Sequence, residues 1–108
     1  MKHINSGDQL LKVLEALSNP YRLKIVGLLS EERKFVSQLA KELNISRPLL
    51  YLHLKKLEEV KLIEGSYEIS ANGKTKRYFE LNSFHIPLDE RFISRYTSSL
   101  TVKRKTDS

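Results

Sequence analysis

Apolar residues recur at helical spacing through the first half of the chain and then switch to alternation, so helices are expected before strands. The stretch "SGDQ" opens the first helix, with Ser6 as its cap and Gln9 reaching back as the capping-box partner. Leu10, Leu14 and Leu17 repeat on one face, and Leu11 broadens the stripe. A second helix starts within "SNPYRLKIVGLLS", because Asn19 is a good cap and Pro20 suits the first helical position. Its Leu23, Val26 and Leu29 are expected to face the core. After the charged turn "SEERK", Phe35 and Val36 form an extended pair, Ser37 caps a short helix over "QLAKEL", and Asn44 ends it in the left-handed conformation. Ser46 caps the next helix, with Arg47 at its first position and Pro48 in its first turn, where a missing amide costs little.

The segments "LIEGSYEIS" and "TKRYFELN" alternate as strands, and the Asn72-Gly73 pair between them predicts a two-residue hairpin loop. That register sets Tyr67 opposite Tyr78 and Glu68 opposite Arg77. A last helix over 87–100 presents Leu88, Phe92, Ile93 and Tyr96, and "TVKRKTDS" reads as a short, basic, frayed tail. The expectation is a mainly α fold with a small β-hairpin, five helices and a two-stranded wing. Residues 1–100 form one domain and 101–108 the tail.

On a helical wheel of the segment after Ser46, Leu50, Leu54 and Leu57 face the core, while Arg47, Pro48, Tyr51, Leu52 and Lys55 point away from it. A formal charge of +6 and a pI near 9.6 favour an anionic partner, nucleic acid or a membrane surface. Lys74, Lys76 and Arg77 gather positive charge around the projecting turn; a hairpin kept soluble by its lysines is the competing account. The chain has 108 residues, enough for one domain, and no apolar run near the roughly 20 residues that a membrane span needs. The opening "MKHINSGDQLLKVLEAL" lacks the apolar core of an export signal, so a cytoplasmic location is expected. The absence of cysteine removes disulfides, thiolate metal sites and cysteine nucleophiles. No nucleophile and base pair, glycine-rich phosphate loop or spaced carboxylate pair supports catalysis.

Three segments carry a family likeness. "ALSNPYRLKIVGLL" resembles the opening of ArsR-type winged-helix repressors, "VSQLAKELNISRPLLYLHLKKLEEVKLIE" is similar to their helix-turn-helix, and "GKTKRYFEL" resembles their wing. The likeness runs over about 14–81. It implies a DNA-binding transcriptional regulator, dimeric through its first and last helices, with the Ser46 helix in the major groove. Leu10 and Leu14 would join Leu88, Phe92 and Tyr96 in that dimer, and two-fold symmetry would demand a pseudo-palindromic duplex.

Within this frame Arg47 can fork onto a guanine edge or clamp a phosphate, and Tyr51 can do either through its hydroxyl or stack on a sugar. Leu49 and Leu52 replace the small polar residues common in the family; they can meet thymine methyls, or Leu49 can lie at the edge of the core and Leu52 be a single exposed apolar residue. Lys55 and Lys56 are contacts or a solvated face balanced by Glu58 and Glu59. Family metal sites are not expected: "RKFVSQL" holds no cysteine, and "PLDERFISRYTSSL" has Asp89 and Glu90 but no histidine. His3, His53 and His85 are dispersed, with His53 beside the core face of its helix. No cofactor is expected. The apolar "PLLYL" surface motivates an alternative, a winged helix that docks onto protein; RNA binding is disfavoured by the lack of an aromatic platform on a broad sheet.

Overall fold

The computed structural model describes residues 4–102; His3 and the basic run 103–105 lie outside the described residues. Five helices and three strands follow in the order α1 (Gly7–Leu17), α2 (Pro20–Glu31), β1 (Lys34–Phe35), α3 (Val36–Leu43), α4 (Arg47–Glu59), β2 (Ile63–Ile69), β3 (Thr75–Leu81) and α5 (Glu90–Thr97). Local chemistry sets most helix starts. Ser6 Oγ accepts the Gln9 amide at 3.1 Å, although the Gln9 side chain reaches Asn5 N–H rather than that of Ser6. Asn19 Oδ1 accepts from both Tyr21 and Arg22 amides, with Pro20 at the first position. Ser46 Oγ accepts the Leu49 amide at 3.3 Å.

Two boundaries differ from the sequence expectation. Ser37 does not cap α3, which begins at Val36, two residues before the expected Gln38; Gln38 Oε1 instead accepts the Phe35 amide at 2.8 Å. Val36 can therefore turn into the core while Phe35 stays extended in β1. The last helix begins at Glu90, not Pro87, because Asp89 caps it by accepting the Phe92 amide at 2.8 Å, and it ends at Thr97. Leu88 thus precedes the helix.

The core gathers Ile25 and Leu29 of α2, Leu39 of α3, Leu50, Leu54 and Leu57 of α4, and Leu62, Ile63 and Phe79 from the sheet side. Leu23 does not face it. At 56% exposure it lies on the outer side of α2, and Ile25 is the fully buried residue in its place. Lys34 is the one polar residue buried among the described residues, with its ammonium 3.3 Å from Glu42 and 3.5 Å from Glu32. Burial pulls its pKa down, but the two carboxylates outweigh burial and hold it above the ordinary lysine value.

The sheet is three-stranded and antiparallel, ordered β1-β3-β2, so the expected two-stranded wing gains β1 along its base. The hairpin register is also one residue away from the expected one: Tyr67 pairs with Arg77 and Glu68 with Lys76. Asn72-Gly73 does not form a two-residue loop. Ser70 N–H bonds Lys74 O at 2.8 Å, Gly73 N–H returns to Ser70 O, and Gly73 takes φ +80°, the geometry of a three-residue loop. The shift places Ile63 and Phe79, both buried, on one face of the ribbon.

Candidate nucleic-acid interface

The turn between α3 and α4 is built by Asn44, at φ 54° and ψ 48°, whose amide bonds the carbonyls of Ala40 and Lys41. Chain direction changes there within a few residues, and Ser46 at once opens α4. Because Leu50, Leu54 and Leu57 are wholly buried, the rotation of α4 about its axis is fixed. Arg47, Pro48, Leu49, Tyr51, Leu52, Lys55 and Lys56 consequently lie on its exposed side. Leu52 is 63% exposed and Leu49 39%, so neither belongs to the interior.

The wing meets this helix across a groove. Arg47 and Tyr51 of α4 line it together with Ser37 of α3 and Tyr67, Thr75, Lys76 and Arg77 of the hairpin. Lys74 sits beside the turn and is exposed, and its amide donates to Asn72 Oδ1 at 3.2 Å. Lys76 projects from the face opposite to Arg77, with its ammonium 5.5 Å from the Phe35 ring centre. Neither lysine has a carboxylate partner among the described residues. Arg77 does: its Nη2 lies 3.7 Å from Glu58 Oε1, and the side chain is half-buried against α4. On the outer face of the ribbon Arg33 bonds Glu68 at 3.0 Å and stacks 4.2 Å over Tyr78.

Of the expected DNA-contacting residues, Arg47, Tyr51, Lys76 and Arg77 thus come together at this groove, and Lys74 is exposed beside the hairpin turn. Ser46 spends its hydroxyl on the helix cap, and Lys55 borders a second groove with Arg22, Leu49, Leu52 and His53. Tyr67, Thr75 and Ser37 were not anticipated at the site. Tyr67 and Thr75 are brought there by the pairing of β2 with β3 and Ser37 by α3, and no local sequence signal supplies either placement.

The expected dimer residues divide. Leu10 is only 6% exposed within the protomer, and Leu14 is half-buried. Phe92 and Tyr96 pack ring to ring at 5.1 Å and are partly exposed, and Leu11, Leu88 and Ile93 are exposed. Ile93 and Leu11, secondary in the sequence pattern, offer more open apolar surface than Leu10. Among the described residues no group of three or more His, Asp or Glu side chains is placed to hold a metal ion, and no helix is long and apolar enough to cross a membrane.

A capped helix laid across a short helix, with a basic hairpin beside its exposed face, defines the winged helix-turn-helix class. A helix-turn-helix domain family matches residues 17–66. An uncharacterized HTH-type transcriptional regulator of Methanocaldococcus jannaschii is 39% identical over 85 residues, spanning 79% of this chain and 88% of that protein. Among solved structures, an ArsR-family transcriptional regulator is similar at TM-score 0.60 and 28% identity, over 69% of this chain and 77% of the other. A homodimeric winged helix-turn-helix DNA-binding domain from Mycobacterium bovis shares the fold at TM-score 0.59 and 22% identity, over 82% of this chain and 70% of its own. The chain belongs to the HTH-type transcriptional regulators, and its fold is similar to that of an ArsR-family regulator.

Proposed function

We propose that this regulator binds double-stranded DNA sequence-specifically as a homodimer, without a metal switch or cofactor, and acts in the cytoplasm. The observation that carries the proposal is the groove that unites Arg47 and Tyr51 of α4 with Lys76 of the wing. The N-terminal half of α4 enters the major groove, where Arg47 and Tyr51 reach base edges or phosphates, and Lys55 and the Ser46 end of the helix lie over the backbone. Pro48 shapes the first turn. Lys74 and Lys76 supply charge to the adjacent backbone. Leu52, with no hydrogen-bonding group, touches thymine methyls.

Cations flank the exposed leucines, and this favours an anionic duplex over a protein surface as their partner. Selection of bound sequences from random duplexes tests the reading: an inverted repeat with half-sites about one helical turn apart is expected. On the selected site Arg47→Ala and Tyr51→Ala should each cost about 1–3 kcal/mol, more than on a scrambled duplex, and uracil in place of a contacted thymine should mimic Leu52→Ala. If no sequence is enriched while Leu52→Ala abolishes capture of a protein partner, α4 is a protein-docking helix.

A further inference from the structure

Of the three cations clustered at the wing, Arg77 is the one that turns inward. Antiparallel pairing puts Arg77 opposite Tyr67, on the ribbon face that two residues later buries Phe79. The guanidinium lies 4.7 Å from the Phe79 ring centre, 5.6 Å from Tyr51 and 5.7 Å from Tyr67. Its Nη2 stands 3.7 Å from Glu58. Tyr51 and Glu58 are two turns apart on the same side of α4, so a single side chain of the wing touches the recognition helix at both.

Gly65 makes this arrangement possible. It pairs with Phe79, and a Cβ at Gly65 would come within 2.8 Å of Phe79 Cε1 and 3.2 Å of Arg77 Nη2. Buried Arg77 Nε has no hydrogen-bond partner among the described residues. Ring faces and one carboxylate therefore hold the head, and an ammonium could not reproduce a planar group stacked among aromatic rings.

We propose that Arg77 is a positioning residue: it locks the wing to the recognition helix and fixes the spacing between Tyr51 and the outward cations Lys74 and Lys76, instead of contacting a DNA phosphate. The proposal rests on the DNA-binding reading above. A guanidinium already beside a carboxylate and half withdrawn from water is not placed to neutralise a phosphate and release a counterion from the duplex, unlike the open Lys76. A wing ordered before binding saves the cost of ordering it on the duplex, and that saving matters most at a site where helix and wing must engage together.

Competition binding across salt concentrations, on the selected site and a scrambled duplex, compares Arg77→Lys, Arg77→Ala, Glu58→Gln and Lys76→Ala. Lys76→Ala should weaken both duplexes alike and lower the salt slope by about one. Arg77→Ala should leave the slope as it is and weaken the selected site by about three- to tenfold, the scale of one lost ordering contact, with less change on scrambled DNA. Arg77→Lys should fail to rescue it, and Glu58→Gln should move in the same direction without adding to Arg77→Ala. Uniform loss with a slope lowered by about one, rescued by lysine, would show a phosphate contact and overturn the proposal. Hydrogen exchange of the DNA-free protein gives a separate readout: amides of β2 and β3 should exchange faster in Arg77→Lys, with α2 and α3 unchanged. Unaltered wing exchange overturns the lock even if DNA is bound normally, whereas faster exchange in a protein that selects no DNA sequence supports the lock and rejects the DNA reading alone.

Discussion

His53 sits on the recognition helix but faces away from the groove, against α2. Its Nδ1 is 3.2 Å from Arg22 Nη1, and its ring lies 5.3 Å from that of Tyr21. Arginine only donates, so Nδ1 must accept and the imidazole is neutral in this arrangement. Arg22 is itself tied to the end of α1, with Nε donating to Ala16 O at 2.5 Å and Nη2 to Glu15 O at 3.4 Å. Burial first, and the Arg22 charge second, lower the His53 pKa below its ordinary 6.5. A base with a lowered folded-state pKa takes up its proton more readily when unfolded. The associated stability is complete above the unfolded value and is lost as pH falls below 6.5 toward the folded value. Thermal unfolding should therefore show Tm falling as pH drops through that acidic window. His53→Gln keeps an acceptor for Arg22 without titrating, so it should remain near wild-type stability at neutral pH and show a shallower fall; an undiminished fall would place the titrating group elsewhere.

At the scale of elements, α1 and α5 meet through Gly7. The Gly7 amide donates to Ser99 Oγ at 2.7 Å, and a Cβ there would collide with the Tyr96 carbonyl and come 2.7 Å from Leu100 Cγ. Asp8 extends the contact by accepting the Thr101 amide and hydroxyl, both at 2.7 Å, which ties Thr101 to α1. Those two hydrogen bonds hold the Asp8 carboxyl below its usual range. Glycine to alanine ordinarily stabilises a helix by about 1 kcal/mol. Gly7→Ala should do the reverse and cost about 1–3 kcal/mol by pushing α5 off α1. Urea unfolding measures the sign directly, and a stabilised variant would show that α5 is not seated as described.

For the whole molecule, the α5 side leaves apolar residues uncovered that one protomer has no means of burying. Leu88, Ile93 and Leu11 are exposed, and Phe92 and Tyr96 are only half-covered. A two-fold partner would cover them and set two recognition helices about 34 Å apart, one DNA turn. Light scattering at about ten micromolar should give the mass of a dimer, the regime in which an interface of standard size of about 1,600 Å² is populated. Ile93→Asp, at 44% exposure, leaves the protomer core untouched and should yield a folded monomer with weaker, non-cooperative DNA binding. A wild-type monomer, or a variant that stays dimeric, would move the interface away from α5.

Sequence alone determined the features that short-range chemistry controls. Caps at Ser6, Asn19 and Ser46, the left-handed Asn44 and the buried stripe Leu50, Leu54 and Leu57 are all legible, because each depends on side chains within a turn or two of one another. Together they suffice to place the recognition helix and orient its outer face. What required the tertiary structure depends on distant partners. Helix α2 carries apolar residues on more than one side, and packing against the rest of the core chose Ile25 over Leu23. Asn72-Gly73 is compatible with a two-residue or a three-residue loop. Burial of Ile63 and Phe79 on a common face selected the longer one, and alternation along β3 from the buried Phe79 turns Arg77 inward to Tyr51 and Glu58 while leaving Lys76 outside. Charge at the wing was visible in the chain; which cations face outward was decided by which face of β3 packs on the core, because alternation assigns Arg77 to the face of Phe79 and Lys76 to the other only once Phe79 is buried.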